Sequence, residues 1–313
     1  MSTAQHEFPI LVTGAAGRIG SVGRTVTELL LASGFRVRAH VRVDDDRAAA
    51  LRALGAEMVV GDLLDSTAVH RAIEGCQRIC FGMSVSATYL EAAANVAVVA
   101  KHHEVKAFIN LSQMTVNEMD IFNTTSSPQQ KQHWLVEQIL SWSGLPVVEV
   151  RPTAFMEGLF LQSTSGVSTR DKILAPFGKG KNAAIAAFDV ARVLAEISSD
   201  PVEHIGKTYH LTGPISQDMD AVAREFSAGL GRTISYVDVP LEIWREQLVA
   251  FGMSPHVAAH VATMAKLHQE NRYDRFSNDV ERLTGVRPMS IREFVERNAQ
   301  AFAPPTARPS VGE

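Results

Sequence analysis

The segment Thr13-Gly14-Ala15-Ala16-Gly17-Arg18-Ile19-Gly20 spaces its glycines as a chain does when it wraps a pyrophosphate. Gly14 permits the sharp turn, Gly17 lets the main chain approach phosphate oxygens, and Gly20 lets the following helix lie close to the sheet. Arg18 and Ile19 belong to the same turn, at a helix N-terminus whose free N–H groups and partial positive charge attract phosphate. A glycine pattern of this kind carries weight only between a strand and a helix. Both are present: the apolar run from Phe8 to Thr13 precedes it, and Ile19, Val22, Val26, Leu29 and Leu30 follow at helical spacing. Dinucleotide binding is the chemistry to expect, with a purely structural turn as the alternative.

The end of the second strand sets which ribose fits. A carboxylate there hydrogen-bonds the hydroxyls of NAD, whereas an arginine suits the 2′-phosphate of NADP. This chain places Arg42 there, with Asp44, Asp45 and Asp46 just after. Arg42 favours NADP(H); the acidic triplet opposes a nearby phosphate and leaves NAD(H) open, as does reading Arg42 as a solvated surface charge. Asp62 is suited to accept from an adenine amino group, with Leu63 against the ring. A helix cap is its other reading, though Asp65-Ser66 suits that task better. Met83 and Ser84 end the fourth strand and Pro152 the sixth, where open sheets bind their ligands.

These positions follow from an alternation of elements. Strands are expected over 8–13, 35–41, 56–60, 78–81, 105–111 and 145–150, with helices over 18–33, 45–54, 66–75, 89–102 and 128–143 between them. Such units bury parallel strands between two helix layers. The fold class is therefore α/β, a doubly wound parallel sheet over residues 1–152, to which later segments return. Residues 153–302 read as a smaller C-terminal α/β substrate lobe. It holds helices near 188–198, 218–230, 241–251, 255–268 and 291–302 and added strands near Tyr209 and Ile234 to Val237. The Pro- and Ala-rich stretch 303–313 reads as a disordered tail.

Composition narrows the classes further. Of 313 residues 46% are apolar and 20% charged, enough apolar material for a sizeable core. Lys+Arg 30 against Asp+Glu 34 gives −4 with no basic block, which disfavours nucleic acid as a partner. Cys76 and Cys80 read as buried thiols. Neither a signal-like leader nor the ~20 apolar residues of a membrane span occurs, so a cytoplasmic protein is expected, and a homo-oligomer stays open. His256 with His260 are spaced like metal ligands but lack a third, and His102-His103 reads as cations at a helix end, so no metal is expected. No Gly-x-Ser-x-Gly turn marks a hydrolase.

The strings TGAAGRIG (Thr13 to Gly20), GDLLD (Gly61 to Asp65), NLS (Asn110 to Ser112), HWLVE (His133 to Glu137), SGLPVVEVRPTAFME (Ser143 to Glu157) and AAFDVARV (Ala186 to Val193), together with Arg42, resemble the NmrA-like branch of the atypical short-chain dehydrogenases. That branch includes quinone-reductase-like and isoflavone-reductase-like proteins, and the resemblance spans nearly the whole chain up to about Asn298. It implies a Rossmann cofactor domain and a small substrate lobe with the nicotinamide between them. The Tyr-x-x-x-Lys pair of most short-chain dehydrogenases is missing here. His133 stands where isoflavone-reductase-like members often carry a catalytic lysine.

His133 is thus the candidate proton donor or ribose contact, with a simple His133–Glu137 pair on one helix face as the alternative. Ser112 is the candidate partner of a substrate oxygen, or a turn cap. Tyr89, Met114, Phe155, Met156 and Phe160, with Phe177 beyond, are candidates to wall a flat ring, though each also reads as core. Met114 to Ser127 reads as a lid. The expected function is NAD(P)H-dependent reduction of a quinone or conjugated aromatic carbonyl. A non-catalytic redox sensor of the NmrA type is the alternative, as is a tailoring oxidoreductase or monooxygenase of aromatic secondary metabolism.

Overall fold

The computed structural model describes residues 7–17, 21–160, 163–250 and 252–304. In chain order β1 (Ile10–Val12), α1 (Val22–Ala32), β2 (Val37–Val41), α2 (Asp46–Ala53), β3 (Glu57–Val60), α3 (Ser66–Ile73), β4 (Arg78–Phe81), α4 (Tyr89–His102), β5 (Ala107–Leu111), α5 (Pro128–Ser143) and β6 (Val147–Pro152) alternate strictly. Beyond them come α6 (Met156–Phe160), α7 (Thr164–Arg170), β7 (Lys172–Ala175), α8 (Ala187–Ser199), β8 (Thr208–Leu211), α9 (Met219–Leu230), β9 (Ser235–Asp238), α10 (Leu241–Ala250), α11 (Pro255–Gln269), α12 (Asp279–Thr284) and α13 (Ile291–Arg297). None of the described helices is long and apolar enough to cross a membrane.

Seven strands form one parallel sheet in the order β3-β2-β1-β4-β5-β6-β8, the doubly wound arrangement. Short apolar strands such as Ile10-Leu11-Val12 are buried on both faces because helices cover both. On one face Val22, Val26 and Leu30 of α1 pack with Val190, Val193 and Leu194 of α8. On the other, Ala92, Ala93, Val96 and Ala97 of α4 lie with Phe81, Phe108, Val136 and Leu140. Helix α5 spans the expected 128–143: Ser127 caps it by accepting from Gln130 N at 3.3 Å, Pro128 opens it, and Gly144 stops it at φ 68°.

Several expectations past Pro152 change. The strand near Tyr209 pairs with β6 as the seventh strand of the main sheet, and α12 packs against α8 and β8. The Gly- and Ser-rich stretch 163–181, for which no element was expected, holds α7 and β7. Its strand finds its partner about sixty residues on, in β9, a pairing no local pattern reveals. The lobe core collects Met156, Phe160, Phe177, Phe226, Phe294 and Phe302. Of the expected tail, 305–313 lies outside the described residues, as does Phe251. Cys76 and Cys80 are free and buried, and burial pushes their thiols up to about 11 and about 12.

Two lobe histidines are buried and neutral. His268 stacks on Phe177 at 4.6 Å and donates from Nε2 to Gly180 O at 3.0 Å; His260 meets the Ser127 hydroxyl at 3.0 Å. Burial pushes both down to about 4. In the unfolded chain they take protons near 6.5, so the stability they contribute is complete above that pH and lost as pH falls from 6.5 toward 4. The expected cost is about 2 kcal/mol for each between pH 7 and 5. Denaturant unfolding at the two pH values measures it, and His268→Gln should flatten the dependence.

Candidate active site

The glycine turn leaves β1 at the C-terminal end of the sheet and rests directly on β4. Thr13 Oγ1 donates to Gly82 O at 2.8 Å and accepts from Gly82 N at 2.9 Å. Gly14 adopts φ +64°, and a Cβ there would lie 2.7 Å from Gly82 O, so conformation and space both demand glycine. Gly17 N donates to Gly14 O at 3.0 Å and closes the turn. Close helix–strand approach is supplied by Gly23, where a Cβ would stand 2.7 Å from Gly14 O and 2.9 Å from Thr13 O. Gly20, expected in that role, lies outside the described residues with Arg18 and Ile19. Gly23 continues the three-residue glycine spacing, the signal by which it was findable.

At the rim, Arg42 is exposed and makes no ion pair among the described residues. Two of the three acidic residues beside it are engaged. Asp45 caps α2 and pairs with Arg47 at 2.5 Å, and that guanidinium holds its carboxyl below the usual range. Asp44 pairs with Arg52 at 2.8 Å, and Arg47 also donates to Ala16 O at 2.5 Å, tying α2 to the glycine turn. The triplet's opposition to a phosphate is therefore partly cancelled. Asp62 is exposed and accepts from Leu64 N at 3.0 Å, while Asp65 caps α3. Met83 is half-buried and Ser84 exposed beside them. Two placements differ from expectation: Leu63 is buried with Val69, Ile73 and Phe81, and Pro152 is buried in register with Leu211 of β8.

Ser112 and Glu137 are bound to each other. The Ser112 hydroxyl donates to Glu137 Oε1 at 2.5 Å, and Arg151 holds the same carboxylate through Nε at 3.0 Å and Nη2 at 2.5 Å. Glu137 is 6% exposed, and a carboxylate this buried is tolerated only when paired. The Ser112 proton is thereby committed, which corrects its reading as a free donor to substrate. The alternative reading, a His133–Glu137 pair, is not formed among the described residues: Glu137 holds Ser112 and Arg151, and His133 meets Gln129. Glu149, next along β6, accepts from Asn110 Nδ2 at 2.7 Å, and burial, then the charge of Glu137, pushes its carboxyl well up.

His133 sits one turn before Glu137 on α5, its ring centroid 4.2 Å from that of Tyr89. Burial, then His260, pushes the imidazole down to about 3, so it is neutral at physiological pH. Its tautomer is fixed through Gln129. Ser86 N, which only donates, reaches Gln129 Oε1 at 3.0 Å, and His256 Nε2 meets the same oxygen at 3.1 Å. The Gln129 amide nitrogen therefore donates to His133 Nε2, 3.2 Å away. A neutral imidazole that accepts at Nε2 carries its proton at Nδ1. His133 Nδ1 and the Tyr89 hydroxyl are both buried without partners among the described residues, groups whose desolvation costs about 1–3 kcal/mol each until something pairs them.

The expected aromatic wall is mostly core. Met156 and Phe160 are buried within the lobe, Phe160 edge-on to Phe226 at 5.3 Å, and Phe177 lies against His268. Tyr89 is fully buried between Phe81 and His133, and Met114 is buried with its carbonyl bonded to Arg275. Only Phe155 is half-buried, bridged to Ile185. Segment 114–127 is pinned to the lobe, because Glu118 is clamped by Arg272 and Arg275 and Ser126 bonds Thr263 at 3.3 Å. Between this segment and α11 lies a groove of about 370 Å³ lined by Thr115, Met119, Phe122, Lys266 and Arg272 among others. Imidazole ¹⁵N spectra of the protein should show His133 in the Nδ1–H form, unchanged from pH 8 to 5. Gln129→Glu, which turns that partner into an acceptor, should move the proton to Nε2.

Comparison with known proteins places this geometry. The NmrA-like family model matches residues 7–296. The chain is 28% identical over 295 residues to the NAD(P)H azoreductase of Xenophilus azovorans, covering 94% of this chain and 99% of the relative. Its fold matches that of an NADPH-dependent quinone oxidoreductase of Escherichia coli complexed with NADPH, at TM-score 0.81 and 23% identity over 93% of this chain and 99% of that one. It also matches NmrA, a negative transcriptional regulator in complex with NADP, at TM-score 0.77 and 18% identity over 93% and 95% of the two chains. At these identities the two structures speak to the fold.

Proposed function

This chain belongs to the NmrA-like family, and from that premise we propose that it is an NAD(P)H-dependent oxidoreductase whose acceptor is a flat conjugated molecule, a quinone or related aromatic compound. The end-to-end likeness to an NAD(P)H azoreductase carries the reading. The residues present fit the cofactor. Gly14 and Gly23 let the turn and the start of α1 pack without side chains where β1 meets α1, the place where a helix N-terminus receives phosphate. Arg42 offers an unpaired guanidinium for a 2′-phosphate, with Asp44 and Asp45 held by Arg52 and Arg47. Asp62 and Ser84 offer polar atoms along the same rim, and Met83 an apolar edge.

When bound, reduced nicotinamide supplies a hydride. The protein's task is to hold the acceptor flat against it and to manage protons. No strong acid stands free: Ser112 is tied to Glu137, and burial raises the Tyr89 hydroxyl well above the ordinary phenol range. What remains is the neutral Nδ1–H of His133, able to donate a hydrogen bond but a poor source of a proton. Such a site suits acceptors whose reduced oxygens or nitrogens take protons from water, and it disfavours simple ketones. His133, fixed by Gln129, is the residue assigned to steady the developing negative charge or the nicotinamide ribose.

Purified protein mixed with NADPH and a panel of quinones and azo dyes should consume the nicotinamide absorbance. Binding of NADPH without turnover on any acceptor would assign the chain a non-catalytic, nucleotide-binding role. Arg42→Ala should raise KM for NADPH by roughly tenfold or more, the worth of one charge-assisted hydrogen bond, and leave NADH kinetics within about twofold. An unchanged cofactor preference in that variant would remove Arg42 from the site.

A further inference from the structure

We propose that His70, His102 and His103 form a binding site for a divalent transition-metal ion of the zinc class, clasping the C-terminal ends of α3 and α4. His70 lies in the last turn of α3, His102 is the final residue of α4 and His103 caps it. The fold brings these two helix ends together although His70 precedes His103 by 33 residues. One ring nitrogen from each of the three lies within 4.8 Å of the others. His103 Nε2 and His70 Nδ1 already face each other at 2.9 Å. The three rings surround a common point, with centroids 4.8, 5.1 and 6.3 Å apart.

Two neutral imidazoles at that distance share one proton, donated by one ring and accepted by the other's lone pair. Replacing the shared proton with a dication turns both nitrogens into ligands. Metal–nitrogen bonds of about 2.0–2.1 Å in a tetrahedral site require nitrogens roughly 3.3 Å apart, so the pair need open by only a few tenths of an ångström. His102 closes the third position from an exposed side chain, and a fourth is left to water. Three imidazoles without a thiolate select ions such as zinc, copper or nickel over calcium or magnesium.

Glu74, just past the end of α3, acts on His103 electrostatically and is near enough to offset part of an ion's charge. The cluster's position separates it from the glycine turn. Helices α3 and α4 end where the chain enters β4 and β5, at the N-terminal ends of these central strands and opposite the strand ends that carry Gly14 and Gly82. An ion here would staple two helices of the sheet's cover and leave the cofactor rim untouched.

The test uses the full chain stripped with a chelator, with Zn(II) in calorimetric titration and Co(II) as a spectroscopic probe. One equivalent of Zn(II) should bind with micromolar affinity and raise the melting temperature, and Co(II) should develop a visible d–d band. His70→Gln and the exposed His102→Gln should each weaken Zn(II) binding at least tenfold and abolish the band, with NADPH binding unchanged as the check on folding. Equal Zn(II) affinity in the native chain and both variants, or no binding by the native chain below about 1 mM, would overturn the proposal.

Discussion

One contact governs the cofactor end of this molecule: the closure of β1 on β4 through Thr13, Gly14 and Gly82. A single hydroxyl both gives and receives a hydrogen bond across the Gly82 peptide, and Gly14 has no room for even one carbon beside the same carbonyl. Two neighbouring parallel strands therefore end at a fixed offset. The turn after the first strand then closes on itself through Gly17 N and Gly14 O. Gly23 adds the second half of the constraint by letting α1 pack directly against the carbonyls of Thr13 and Gly14.

Away from that corner the site is organised by the way it buries charge. Glu137 is retained in the interior because Arg151 and Ser112 satisfy it, and its negative charge helps to keep Glu149 protonated nearby. His133 avoids the same expense by staying neutral. The amide of Gln129, itself oriented by a backbone N–H of the loop after β4, decides which ring nitrogen carries the proton. His256 of α11 completes that arrangement from the lobe side. The polarity around a candidate reacting centre is thus set jointly by the sheet's loops and the lobe, and the interior admits few freely ionising groups.

How much of this was legible depended on range. The boundaries of β4, α4 and α5 could be read directly, because apolar runs and helical spacing are local signals. The glycine turn was legible for the same reason. What escaped was decided by distant partners. Strand β7 is a strand only because β9 lies beside it, and β8 joins the main sheet because Glu149 to Pro152 offer it a free edge. Met156 and Phe160, adjacent to a conspicuous string, read equally well as cleft or core until Phe226 and Phe294 arrived from far downstream. Ser112 looked free because its acceptor stands twenty-five residues away.

The path of the chain has a mechanical consequence. It leaves the sheet after β6 and returns as α8 and β8. It then departs again through α9 to α11 and sends α12 back to lie on α8 before finishing in α13. Cover and lobe are therefore laced together by repeated covalent crossings, and Glu118 adds a clasp to α11's far end. Neither part can be excised as an autonomous piece, and loosening one frays the anchors of the other. Heat should take the whole molecule apart in a single cooperative step, not lobe first and sheet after.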